Sequence, residues 1–197
     1  MLTELLHRLA AHPWIYDRIQ TLVGHDRVLE RLIQEIAPLS PNVVVDIGGG
    51  TGTARNLFAT DCRYLCLDLE MPKLLGFRSA APSGLAVLGD ATSMPIIDGC
   101  ADMVICKSLT HHLTDLKLDQ VFEESRRVLR AGGHLILFDA VLNHKRLAGR
   151  MLWRLDRGSY PRPEDELREK LESRFRVVHW ENFAIYHEYI LGIGVRP

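Results

Sequence analysis

The chain has 197 residues, 47% of them hydrophobic, and a formal net charge of −1 at pH 7. That length suits one domain with a substantial core. The near-neutral balance excludes a protein that grips a nucleic acid through a global basic excess. No apolar run approaches the roughly 20 residues needed to span a bilayer. The N-terminal stretch MLTELLHRLAAHP mixes apolar with charged residues and lacks a signal-peptide core. Cys62, Cys66, Cys100 and Cys106 show no paired C-x-x-C spacing, so reduced thiols are expected and a zinc site is not. A cytoplasmic, metal-independent protein is the expectation.

Residues 2–37 read as helices. Leu2, Leu5, Leu6 and Leu9 give one apolar stripe, and Val28, Leu29, Leu32, Ile33 and Ile36 give another. Trp14 and Tyr16 lie between the two, with Pro13 placed to begin a helix. Pro38 and Pro41 bracket the entry into a first strand. There Val43, Val44 and Val45 form a β-branched run without a polar break, as in a parallel strand buried on both faces.

The strand ends at Asp46, and Gly48, Gly49, Gly50 and Gly52 follow. Glycines let the backbone turn sharply and approach a ligand where a Cβ would collide. A helix is expected next, over Thr53 to Thr60, with its N–H groups aimed at the same space. A dinucleotide fingerprint starting at Gly48 would need a small third residue where Thr53 stands. A phosphate loop would need a lysine that is not there. The spacing that fits is Asp46-x-Gly48-x-Gly50-x-Gly52. An acid so close to the loop repels a pyrophosphate and can pair with an ammonium group, so the ligand suggested is a cationic nucleoside. On these residues the chain resembles the class I S-adenosylmethionine-dependent methyltransferases that act on small molecules.

The second strand, Tyr64 to Leu67, ends at Asp68, which lies 20 residues beyond Gly48. At that distance an acid meets ribose hydroxyls, and a carboxylate can accept from both members of a cis-diol. Glu70 is the runner-up for this role, and Leu69 can flank the adenine or simply pack. A third strand, Leu85 to Leu88, leads to Asp90 and Ala91. In the resembling family an acid there accepts from the adenine amino group, and the next backbone N–H serves a ring nitrogen. The alternative for Asp90 is a helix N-cap. Asp102, at the start of the fourth strand, reads as structural.

The fourth strand, Met103 to Cys106, runs into Lys107-Ser108-Leu109-Thr110-His111-His112. Ligands of open α/β sheets sit beyond the carboxyl ends of the strands, so this loop faces the methyl donor. Lys107 contacts the cofactor chiefly through its backbone. His111 and His112 match a histidine pair common in the resembling family, either as a base near the acceptor or as architecture. Leu116 to Leu129 is an amphipathic helix with Arg126, Arg127 and Arg130 near its end. His134 to Phe138 makes the fifth strand, and the run R-V-L-R-A-G-G resembles a structural motif of the same family.

Beyond Asp139 the resemblance loosens. A helix is expected from Asn143 to Leu155. Lys145, Arg146, Arg150, Arg154 and Arg157 form a basic cluster, read as a solvated face or as a site for an anionic acceptor. Tyr160 sits in a Gly/Pro-bounded loop, and it and Tyr16 are candidates for the acceptor pocket. A helix from Glu164 to Leu171 and two strands, Arg176 to Phe183 and Ile185 to Val195, close the chain.

The fold expected is α/β, a doubly wound Rossmann-like sheet of seven strands behind an N-terminal helical lead-in. The resemblance implies strand order 3-2-1-4-5-7-6, with strand 7 antiparallel. One methyltransferase domain fills 1–197: a helical lead-in at 1–40, a cofactor-binding core at 41–140, and acceptor-side helices and closing strands at 141–197. The cofactor implied is S-adenosylmethionine, held by Asp46, Gly48, Gly50, Gly52, Asp68, Leu69, Asp90, Ala91 and Lys107. The methyl passes to an oxygen, nitrogen or carbon of a small-molecule acceptor, an anionic or aromatic one among the candidates. His111, His112, Tyr160 and Tyr16 are the candidates for catalysis. Two alternatives stay open: a non-methylating rearrangement or cyclisation on the same fold, and a non-catalytic partner subunit.

Overall fold

The computed structural model of the chain describes residues 25–142, 160–184 and 188–197. Trp14, Tyr16, the first apolar stripe, the expected helix from Asn143 to Leu155 and the basic cluster lie outside the described residues. Helix α1 is His25–Ile36, and a 3-10 turn, Ala37–Leu39, leads from it to strand β1, Val43–Ile47. Then come β2 (Arg63–Asp68), α2 (Met71–Ala80), β3 (Leu85–Leu88) and β4 (Ala101–Lys107). Helix α3 (Asp115–Val128) runs directly into β5 (Leu129–Val141). Helix α4 (Glu164–Glu172), β6 (Arg176–Ala184) and β7 (Glu188–Val195) complete the order.

The strands form one seven-stranded sheet in the order β3-β2-β1-β4-β5-β7-β6. Strands β1 to β5 pair in parallel, and β7 pairs antiparallel with both β5 and β6. The fold is the expected one. The sheet's alternation sorts its side chains onto two apolar faces. Val45, Ile47, Val104, Leu135 and Leu137 pack with Leu118, Val121 and Phe122 of α3 and with Leu167 and Leu171 of α4. Val44, Tyr64, Met103, Ile105 and Ile136 pack with Leu32 and Ile36 of α1 and Leu74 and Phe77 of α2. Gly192 and Gly194 keep β7 close beneath the first of these layers, since a Cβ on either would lie 2.7 Å from Trp180 or Phe175.

Local chemistry explains the helix ends. Thr114 caps α3 by accepting from the Lys117 amide, and Leu118, Val121, Phe122, Ser125 and Val128 bury one face at helical spacing. Arg127 leaves the helix end to hold the loop after β3. Its guanidinium donates to the Met94 and Ile96 carbonyls and pairs with Asp98 and Glu124. Arg130 instead pairs with Asp102, whose Oδ2 accepts from the Asn42 and Val43 amides and so fixes the start of β1. Asp102 is structural, as expected.

One expected element is absent. The run Thr53 to Thr60 makes turns and a single 3-10 turn, Arg55–Leu57, with no α-helix. Eight residues containing two threonines and an asparagine are a weak isolated helix. The Arg55 guanidinium takes up the carbonyls of Phe58, Ala59 and Thr60, at 3.0 to 3.2 Å, which gives those acceptors partners without a helix.

Candidate active site

Strands β1 and β4 neighbour each other at the point where the winding of the sheet reverses, and their carboxyl ends open the crevice of a doubly wound fold. The glycine loop lies over one side of it. Gly48 and Gly49 donate their amides to the Leu67 carbonyl, at 2.8 and 3.2 Å, and Gly50 donates to Asp68 Oδ2 at 2.9 Å. Three amides that would form a phosphate nest are therefore turned into the protein. Gly49 allows the close approach, because a Cβ there would lie 2.6 Å from the Asp46 carboxylate and 2.7 Å from Cys66 Sγ. Gly50, at φ +58°, faces the open side, where a Cβ would meet only Lys73, at 3.8 Å.

Asp46 is buried beneath this loop and accepts from the Tyr64 hydroxyl across the strand pair. Burial pushes its carboxyl pKa up to about 6, against the Tyr64 hydrogen bond and the nearby Lys107 cation. Asp68 is 6% exposed; besides the Gly50 amide it takes the Glu70 amide on Oδ1, at 2.8 Å. Each carboxylate oxygen accepts two bonds, so both keep a lone pair for ribose hydroxyls. Asp90 Oδ1 accepts from the Thr92 amide at 2.9 Å, and this bond holds its carboxyl below the usual range. No helix follows Asp90, so its local bond is an Asx turn and not an N-cap. Ala91 beside it is buried, while Leu69 is 67% exposed at the mouth.

The other side of the crevice is built on β4 and β5. Ser108 follows β4 with φ at +53°, a strained conformation for a residue with a Cβ, and its amide donates to the Phe138 carbonyl. The next residue, Leu109, packs against Gly48, so the loops after β1 and β4 touch. A 3-10 turn then carries Thr110–His112. His111 is 7% exposed, and its Nδ1 lies 2.6 Å from Oδ1 of Asp139, a fully buried acid near the carboxyl end of β5. Asp139 also accepts from the Thr110 amide and hydroxyl, both at 2.7 Å, and from the Ala140 amide. Burial opposes its charge, but His111 and Thr110 outweigh that and hold its carboxyl below the usual range. A charged carboxylate only accepts, so His111 donates from Nδ1, and the neutral form of this imidazole has its basic nitrogen at Nε2.

The turn that holds His111 is clamped from behind. Arg162 is 6% exposed and donates to the carbonyls of Thr110, Leu113 and Tyr160 while pairing with Asp115 and Glu166. The Tyr160 amide donates to the His111 carbonyl at 3.0 Å. Tyr160 thus lies against the turn, with its side chain 44% exposed. His112 is exposed, with its ring 4.2 Å from that of His111. Asp46, Asp68, Asp90, Lys107 and His111 all stand at carboxyl ends of parallel strands or in the loops directly after them. Tyr16 lies outside the described residues. Two residues of the site escape a reading of the sequence. Asp139 carried the same signal as Asp68, an acid at the end of a buried strand. Arg162, in a Pro-Arg-Pro loop, carried none.

Fold and site together define an α/β protein with its ligand space at the switch point of a doubly wound sheet. Residues 45–137 match the family described as Methyltransferase domain. A demethylmenaquinone methyltransferase of Thermotoga maritima is 25% identical over 152 residues, which are 75% of this chain and 66% of that protein. The first curated relatives are spanned over 28% to 66% of their own length. Among solved structures, the PH0226 protein of Pyrococcus horikoshii superposes with a TM-score of 0.74 at 19% identity, covering 94% of this chain and 93% of that one. The N-methyltransferase NodS of Bradyrhizobium japonicum, solved with S-adenosylhomocysteine, gives 0.67 at 15% identity, covering 96% and 91%. These two likenesses show the fold.

Proposed function

We propose that this protein transfers a methyl group from S-adenosylmethionine to a hydroxyl of a small-molecule acceptor, with His111 as general base. The observation that carries the first part is the glycine loop. Its amides face inward and two carboxylates, Asp46 and Asp68, lie under and beside it. Such a loop suits a cationic nucleoside and repels a phosphate. The residues present fit the cofactor: Asp68 for the ribose hydroxyls, Asp90 and the Ala91 amide for the adenine edge, and Leu69 flanking the ring. Gly48, Gly50 and Gly52 give the close approach, and Asp46 and Lys107 border the amino-acid end. In this reading residues 1–40 cover the site, 41–140 hold the cofactor and 141–197 shape the acceptor side, with Tyr16, Tyr160 and His112 at the pocket. The methyltransferase relatives favour methyl transfer over a rearrangement or a non-catalytic role.

Bound in this crevice, the cofactor supplies an electrophilic methyl carbon whose leaving group is a neutral thioether. His111 takes the acceptor's proton at Nε2 as the oxygen's electron pair is directed in line at that carbon. Asp139 holds the imidazole in the tautomer that can do this and stabilises the imidazolium that results. Thr110 and the Ala140 amide fix Asp139 in turn. A hydroxyl gains most from this arrangement, since a free amine brings its own lone pair. The crevice also aligns donor and acceptor, which is the larger part of the task.

A panel of phenols and hydroxy acids, offered with methyl-labelled cofactor, identifies a working acceptor. On it, His111→Gln should lower kcat by about 10²- to 10⁴-fold, the scale of general-base catalysis. Binding of S-adenosylhomocysteine should be nearly unchanged, and the limb of the pH–rate profile that rises with pH should be lost. Asp139→Asn should fall in the same direction. A loss below about tenfold in both variants makes His111 architectural and leaves alignment alone as the source of rate.

A further inference from the structure

Lys107 ends β4 at the switch point, on the sheet face shared with its neighbours Asp46 and Phe138. Its surroundings are mostly protein, and that desolvation draws its pKa below the ordinary lysine range although Asp46 and Asp139 oppose the shift. No hydrogen bond and no ion pair within 4.0 Å joins its ammonium to any described residue. Both nearby carboxylates are already engaged. Asp46 accepts from Tyr64, and Asp139 accepts from Thr110, His111 and Ala140. Lys107 is half-buried, and its ammonium, bonded to no described residue, keeps three donors for an anion that enters the crevice.

We propose that the Lys107 side chain receives the carboxylate at the amino-acid end of S-adenosylmethionine, with the buried Asp46 charge one strand away favouring the ammonium of the same group. This rests on the methyltransferase reading and adds to it. In that reading the lysine's backbone serves the cofactor; here its charged tip does. An α-amino acid carries opposite charges on adjacent atoms, and Lys107 and Asp46 offer opposite charges from adjacent strands. Its strand, β4, also lies between β1, which carries Asp46 on the cofactor side, and β5, which carries Asp139 on the acceptor side. An anionic acceptor is therefore the other source of a carboxylate, and the experiment separates the two.

The probes are S-adenosylmethionine and its decarboxylated form, which differ only in the carboxylate, titrated into wild type, Lys107→Met and Lys107→Arg. Wild type should prefer the carboxylated probe by about tenfold to a hundredfold, the scale of one charge-assisted hydrogen bond. In Lys107→Met that preference should fall below about threefold through weaker binding of the carboxylated probe alone. Lys107→Arg should recover part of it. Equal binding of the two probes by wild type overturns the proposal without any variant. A preference that survives Lys107→Met, or a variant altered only in KM for an anionic acceptor, overturns it too. If wild type binds neither probe, the methyltransferase reading itself fails.

Discussion

A carboxyl group buried beneath a glycine loop keeps its charge at a cost to the fold. Asp46 is pushed up to about 6 from the ordinary 3.8, chiefly by desolvation. Between those values the native state binds more protons than the unfolded chain. Stability is therefore greatest, as far as this group is concerned, below about 4, and is lost as pH rises through about 6. Asp46→Asn removes the charge and keeps an acceptor for Tyr64. It should be more stable than wild type at pH 8 by on the order of 1–3 kcal/mol, with the advantage fading as pH falls through 6. Thermal melts of the two proteins across that range check it, and cofactor affinity should drop in the same variant. Asp68 acts through the two backbone amides it accepts from, those of Gly50 and Glu70. Its spacing from Gly48 marked it in the sequence, but its hold on the Gly50 amide did not show there, because that contact joins residues 18 apart through the sheet. Asp68→Ala should lose about 2–4 kcal/mol of S-adenosylhomocysteine affinity. Part of that loss comes from the released loop, so Asp68→Asn, which keeps an acceptor, should lose less. Calorimetry on both variants tests this.

At the scale of elements, the parallel strands and α3 were legible because buried β-branched runs and a 3.6-residue stripe are periodic signals. The missing helix after the glycine loop was not. Its residues permit a helix, and the outcome turned on Arg55 capturing three carbonyls. The turn that carries His111 has the same character. Arg162 binds carbonyls on both sides of it from a loop some fifty residues away, and no local pattern announces such a clamp. Arg162→Met should destabilise the protein by about 2–4 kcal/mol, since one buried and two half-buried carbonyls lose a charged donor. It should also lower kcat more than it raises KM for the cofactor, because the displaced element carries His111 and not Asp68. Urea unfolding and steady-state kinetics measure the two effects. Equal damage to cofactor binding would mean that the two halves of the crevice are coupled more tightly than their separate hydrogen-bond networks indicate.

For the whole molecule, the seven-stranded order brings together acids and a histidine from strands far apart in sequence. The sequence located this crevice through the carboxyl-end rule and the glycine spacing. It did not pair His111 with Asp139, because β5 lies beside β4 only once the chain is wound. A ligand that occupies the crevice and binds only the folded chain should stabilise all of it. At a hundred times its Kd, S-adenosylhomocysteine should add about 2.7 kcal/mol, or roughly 5–10 °C in melting temperature for a chain of this size. The most direct test of the central claim is calorimetric titration of the unmodified protein with S-adenosylhomocysteine, NAD and ATP in turn. Saturable binding of S-adenosylhomocysteine, competed by S-adenosylmethionine, is expected, with no heat from NAD or ATP. Saturable binding of NAD or ATP with no response to S-adenosylhomocysteine would contradict it.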